Sequence, residues 1–268
     1  MPTSSRLIMP QFRRAPGNPK KAIQTFRRHG RIMGKIQRSL LPSPLPAIPT
    51  LELAATNRPA RIVGGDYFDF AEAPDGRWFT FLADVSGHGP SAAILVAAIH
   101  GIIHTKLKDA SSPARFLRDL NGYLSASYTR KDLGFATAFL ALYDPRERSL
   151  TYASAGHVPA RLVSSARHRV ELLKKGAGYP LGILDSNDLE DTVQRLDSGD
   201  RLVLCTDGIT EALSPDGTLF GSQRLDQALA HAPWEPQALI TALLSLVDAF
   251  SGGSPPRDDQ TLVVATVL

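Results

Sequence analysis

Two spacings of apolar residues alternate along this chain. From Leu51 onward, short runs with period two are bounded by Gly, Pro, Asn and Asp, while longer stretches follow a helical period. Leu51–Thr56 reads as a first strand. Asp66–Glu72 and Arg77–Asp84 flank Ala73-Pro74-Asp75-Gly76, a hairpin turn. Ser91 to Lys108 reads as a helix whose apolar positions run nearly all round, which predicts deep burial. Ser112-Pro113 supplies an N-cap and a proline at the first helical position, opening a helix to Tyr128. Ala136–Tyr143 and Ser149–Ala155 form a second hairpin, and Ala160–Ser164 and Arg169–Leu173 continue the meander. Val193–Leu196 and Arg201–Thr206 flank Asp197-Ser198-Gly199-Asp200. Helices over Gln223–His231 and Glu235–Phe250 precede a closing strand, Thr261–Val267. Hairpins interrupted by paired helices predict an α+β fold: an antiparallel β-sandwich flanked by helical layers.

The N-terminal segment differs in kind. Residues 1–19 hold four prolines and little periodicity, which predicts a disordered tail. Residues 20–41 form a helix by pattern, with positions 22, 26, 29, 33, 36 and 40 on one seam interrupted by Gly30 and Gly34. Docking of this arm on the domain and a homodimer seam fit equally. Leu41-Pro42-Ser43-Pro44-Leu45-Pro46 stops the helix and stiffens the link. The expected organisation is a tail (1–19), a helical regulatory arm with its Pro-rich linker (20–49) and one domain (50–268).

Charge sharpens that division. The net +4 hides ten Lys/Arg and no acidic residue in residues 1–51, against 20 Lys/Arg and 26 Asp/Glu in the rest. A basic arm can meet nucleic acid, an anionic membrane face or an acidic partner, or can simply be a solvated tail. No run approaches the ~18 apolar residues of a membrane span. The N-terminus lacks a signal pattern, and one cysteine, Cys205, excludes an internal disulfide framework. A cytoplasmic protein is the simplest expectation.

The chemistry-bearing feature is repeated. An apolar run ending at Ala83 delivers Asp84, followed by the small residues of Val85-Ser86-Gly87-His88-Gly89. Asp66 follows two glycines, Asp207 ends the run Arg201–Thr206, and Asp258 precedes the last strand. One Asp-Gly is ordinarily a turn. Four acidic corners of one type, each beside a strand, would repel one another if they met, and hard divalent cations with oxygen ligands are the group that would hold them together. A pair of such ions activates water and clamps phosphoryl oxygens, which suits direct hydrolysis of a phosphate ester.

These residues carry a resemblance. Arg58-Pro59-Ala60 leading to Val63-Gly64-Gly65-Asp66-Tyr67-Phe68-Asp69, then Asp84-Val85-Ser86-Gly87-His88-Gly89, Tyr152–Pro159, Pro180-Leu181-Gly182, Thr206–Ala212 and Asp258-Asp259-Gln260-Thr261 stand in one order. In that order they resemble the metal-dependent Ser/Thr protein phosphatase superfamily (PPM type), in its bacterial SpoIIE/RsbU-type branch. The resemblance implies a β-sandwich between helical layers and two Mn²⁺ or Mg²⁺ ions. It implies Asp66, Asp84, Asp207 and Asp258 as ligands with the backbone oxygen of Val85. By this mapping Asp66 bridges both ions with Asp84 on the second, Asp207 and Asp258 hold the first, and Asp69 and Asp259 stand behind the ligands or are structural. The implied substrate is a phosphorylated STAS-type anti-anti-sigma protein in a partner-switching circuit, with an activating partner or sensor acting through residues 20–41. The alternative from another class is a phosphatase-fold binding module without turnover; the presence of all four ligand positions argues against it. Recruitment to nucleic acid or membrane by the arm is a third reading, with nucleic acid the less favoured.

The remaining polar candidates are weighed singly. His88, beside Asp84, can orient a water or phosphate, or pack in its turn. His157 reads as a structural hydrogen-bonding residue, and Arg61 as a surface residue. His100 and His104 have a metal-like spacing on a helix, but the zinc-protease pattern requires Glu where Gly101 stands, so metal binding is not expected there. Gly87–Ser91 lacks the lysine of a phosphate loop, which argues against nucleotide binding.

Overall fold

Strand alternation builds the central layers. In β3 (Trp78–Val85), Phe79, Phe81, Ala83 and Val85 join one apolar core, while Leu82 joins another on the opposite face. In β2 (Asp66–Glu72), Tyr67 points with the first set and Phe68 and Phe70 with the second. The computed structural model describes residues 19–87, 89–127, 134–166 and 169–268. The expected tail, except for Pro19, and the expected role of His88 therefore lie outside the described residues.

Two sheets pack face to face. One has the order β1-β11-β10-β6-β7, formed by Leu51–Arg58, Gln260–Val267, Arg201–Cys205, Ala160–Ser164 and Arg169–Leu173. The other has the order β2-β3-β4-β5-β8, with β4 at Ala136–Asp144, β5 at Ser149–Ala155 and β8 at Ala177–Gly178; β9 (Thr192–Arg195) also pairs with β5. Phe68, Leu82, Phe139, Tyr152, Leu204 and Val263 fill the space between the sheets. Helices α2 (Pro90–Lys106) and α3 (Pro113–Ser127) cover the outer face of the second sheet. Helices α5 (Gly221–His231) and α6 (Pro236–Phe250) cover the first, and α4 (Asp207–Thr210) is one short turn after β10. This is the expected α+β sandwich between helical layers.

Local chemistry accounts for the boundaries. Ser112 Oγ accepts from Arg115 N–H at 3.1 Å, as its N-cap pattern predicts. Glu235 caps α6 by accepting from the backbone of Gln237 and Ala238. Cys205 packs as a small hydrophobe, and burial pushes its thiol up to about 11.

Helix α2 departs from the expectation of burial all round. Leu95, Val96, Ile99 and Ile103 are buried, but Ile94 is 58% exposed, because only one side of the helix meets the sheet. Pro90–Asp109 is long and apolar enough to cross a membrane by length and composition, although its apolar residues form no unbroken run over that length; here it forms a layer on the sheet. Helix α1 (Pro19–Arg38) docks through its C-terminal end. Gln37 Nε2 donates to Gly64 O at 2.6 Å, and Gly64 N donates to Gln37 Oε1 at 3.0 Å. Gly34 permits the approach, since a Cβ there would lie 2.3 Å from Ile62 O. Ile32 and Ile36 on the same helix are exposed.

Candidate metal centre at one end of the sandwich

Asp66 opens β2 and Asp84 lies next to the end of β3, and the antiparallel register sets them directly opposite each other. Both follow the alternation that faces the other sheet. From that sheet, β10 ends at Cys205 and delivers Thr206 and Asp207, while Asp258 and Asp259 lead into β11. Since β10 and β11 are antiparallel neighbours, with Cys205 opposite Leu262, these corners share one end of the sandwich. Four chain segments far apart in sequence thus bring Asp66, Asp84, Asp207 and Asp258 to one place.

Their environments differ. Asp66 is buried, and its Oδ2 accepts from Thr206 Oγ1 at 2.8 Å and from Thr261 Oγ1 at 2.5 Å. Burial and then Asp84 raise its carboxyl well above the ordinary range. Asp84 is half-buried; burial, then Asp207, Asp258, Asp259 and Glu211, push it up to about 7. Burial, then Glu211 and Asp258, push Asp207 up to about 6. Asp258 is exposed, and its Oδ1 accepts from the N–H of Asp259 at 2.8 Å.

Backbone approach completes the centre. A Cβ on Gly65 would lie 2.3 Å from Val85 O and 3.3 Å from Asp84 Oδ1, so only glycine lets this loop pass. A Cβ on Gly208 would lie 2.1 Å from Asp259 O. Asp259 is a brace: Oδ2 accepts from Gly65 N at 2.6 Å and Oδ1 from Ala60 N at 2.7 Å. The donor set is all oxygen and rich in uncompensated negative charge. That set fits hard divalent cations, which would offset the charge that burial and then mutual repulsion disfavour here.

Asp69 is not among this group. An offset of three along a strand puts it on the opposite face of β2 from Asp66, and its carboxylate meets Tyr67, His104 and the N–H of Phe70. Of the two readings weighed for Asp69, behind the ligands or structural, this placement leaves the second. His157 is buried and bonded to Thr137 Oγ1 at 2.8 Å, a structural role as expected, and Arg61 is exposed. Sequence reasoning missed Thr206, Thr261 and Glu211. The signal was available for the two threonines, which adjoin Asp207 and Asp259-Gln260 within the quoted motifs. Beside the cluster, a cleft of about 410 Å³ is lined by Glu211, Ser214, Asp248, Ser254, Arg257 and Asp258.

Known proteins match this architecture. The family described as Stage II sporulation protein E (SpoIIE) matches residues 74–268. Phosphoserine phosphatase RsbU of Bacillus subtilis is 30% identical over 188 residues, covering 70% of this chain and 55% of RsbU; the chain thus spans about half of that relative. The SiaA-PP2C domain of Pseudomonas aeruginosa superposes with a TM-score of 0.79 at 23% identity, covering 92% of this chain and 98% of that one. The PP2C phosphatase domain of SpoIIE from Bacillus subtilis gives a TM-score of 0.70 at 21% identity, covering 81% and 63%. At these identities the two solved structures speak to the fold.

Proposed function

The chain belongs to the SpoIIE family, and from that premise we propose that it is a metal-dependent phosphoprotein phosphatase acting on phosphoserine or phosphothreonine. The observation that carries the reading is the convergence of Asp66, Asp84, Asp207 and Asp258 beside the Val85 carbonyl, with burial and mutual repulsion raising three of the carboxyls. These five residues would hold two Mn²⁺ or Mg²⁺ ions, which when bound supply an activated water and offset charge on the phosphoryl oxygens.

The roles within the set follow from what each carboxylate faces. Asp66 has two hydroxyl donors on Oδ2 and meets the charges of Asp84 and Asp259. Asp84 meets Asp207 and Asp258 across the sandwich and Asp66 across the ladder. Asp84 is thus the carboxylate that faces members of the set on both sheets, and it would hold the ions together with Asp66, Asp207 and Asp258. Thr206 and Thr261 orient Asp66, Asp259 fixes the Gly65 loop, and Gly65 brings the chain against Val85 O. Arg257, on the rim of the neighbouring cleft, is the proposed contact for a phosphopeptide segment.

The proposed substrate is a phosphorylated STAS-type protein in a cytoplasmic partner-switching circuit; the single free, buried Cys205 fits a reducing compartment. Helix α1 is the proposed contact for an activating partner or a second copy, because Gln37 grips the loop leading to Asp66 while Ile32 and Ile36 stay exposed. Phosphate release from a phosphoserine-bearing STAS protein in Mn²⁺, and not in chelator, is the expected result. Release only from other phosphoproteins would remove the STAS assignment, and release from none would favour the silent binding module.

A further inference from the structure

A second group of ligating side chains lies on the other face of β2. Helix α2 presents His100 and His104 one turn apart, with ring centroids 4.2 Å from each other. Asp69 faces them from the strand. His104 Nε2 is 2.8 Å from Asp69 Oδ2, and His100 Nδ1 is 4.0 Å from the same oxygen. One ligating atom from each of the three residues lies within 4.8 Å of the others. Tetrahedral ligation at about 2.0–2.2 Å places ligand atoms about 3.4 Å apart, inside the spread seen here.

We propose that Asp69, His100 and His104 form a second cation site, of the imidazole and carboxylate type that suits Zn²⁺. Spacing on α2 alone gives two ligands and no third; the fold supplies the third from β2. Hydrogen bonds orient the carboxylate, as they do for ligating carboxylates: Tyr67 hydroxyl donates to Asp69 Oδ2, and Phe70 N donates to Asp69 Oδ1 at 2.8 Å. Tyr67 hydroxyl also lies 2.9 Å from His100 Nδ1, a contact that ligation through that nitrogen would replace. The Asp69 carboxylate is 4% exposed, whereas the His104 side chain is 54% exposed, so the site opens to solvent on one side for a fourth ligand. A cation here ties α2 to β2. The first is the helix that follows Asp84 and Val85, and the second is the strand that begins at Asp66.

Co²⁺ titration of the full chain reads this site directly, because tetrahedral imidazole ligation gives intense visible bands while an all-oxygen site gives weak ones. The wild type and Asp207→Asn should both develop the bands, and Zn²⁺ should bleach them. His104→Gln, at a half-exposed position, and His100→Gln should abolish the bands with an unchanged far-ultraviolet spectrum. Their Zn²⁺ affinity should fall by more than the about 10–100-fold that loss of an outer partner costs. Absence of the bands in the wild type, or Co²⁺ and Zn²⁺ binding unchanged in folded His104→Gln, would overturn the proposal.

Discussion

Asp66 and Asp84 face each other across the β2–β3 ladder, two carboxylates in direct register at one end of the sandwich. Such a pair destabilises a sheet by itself. Its presence, with Asp207 and Asp258 arriving from the second sheet, is the relationship that supports the proposed metal centre.

Stability without metal should therefore depend on pH. The Asp84 carboxyl is raised from 3.8 to about 7 in the folded state. Unfolded Asp84 ionises more readily than folded Asp84, so the metal-free protein loses stability as pH rises from the unfolded value through the folded one. Melting in chelator should show a lower Tm at pH 8 than at pH 5.5, and Mn²⁺ should raise the Tm most at pH 8. Asp84→Asn should raise the metal-free Tm at pH 8 and erase most of the Mn²⁺ shift. A lower metal-free Tm for Asp84→Asn would contradict this account of the repulsion.

Gly65 tests the backbone approach. The alanine methyl would meet Val85 O at 2.3 Å, and relief requires moving the loop or the end of β3. Gly65→Ala should cost about 1–3 kcal/mol in denaturant unfolding and weaken Mn²⁺ binding. Gly122→Ala, on the exposed side of α3 with nothing within 4 Å of its Cβ, should instead stabilise by about 0.5–1 kcal/mol.

Thr261 tests the support of Asp66. Thr261→Val keeps the strand-compatible shape but removes the 2.5 Å bond to Asp66 Oδ2 and the acceptor for Asn57 Nδ2 at 2.9 Å. In saturating Mn²⁺ the loss should be about 1.5–3 kcal/mol, the range for a hydrogen bond to a charged group, read by urea unfolding. Phosphate release should fall with it. An unchanged unfolding midpoint would show that Asp66 does not depend on this hydroxyl.

Gln37 tests the arm. Gln37→Ala removes both bonds to Gly64 while leaving the domain core untouched. The Mn²⁺ concentration for half-maximal phosphate release should rise several-fold with little change in Tm. An unchanged half-maximal concentration would detach α1 from control of the metal centre.

Much of this was legible before the fold. Alternation placed β2, β5, β6 and β7 correctly because their Gly, Pro and Asp boundaries are strong local signals. The two-residue β8 and four-residue α4 escaped because elements that short have no periodicity. The four acidic corners were legible because each ends or begins an apolar strand. Asp69 looked close to Asp66 in sequence, although an offset of three puts it on the opposite face, where it meets His104. The motifs contain Thr206 and Thr261, but their bonds to Asp66 join segments 140 and 195 residues apart, a pairing that only the fold supplies.

The central claim is that carboxylates meeting at Asp84 sustain metal-dependent phosphate ester hydrolysis. The most direct measurement is phosphate release from a phosphoserine protein across a Mn²⁺ titration, for the wild type beside Asp84→Asn. The account predicts release that requires Mn²⁺ and saturates with it, and release at background for the variant at every Mn²⁺ concentration. Turnover that ignores Mn²⁺, or that survives in Asp84→Asn, would contradict it.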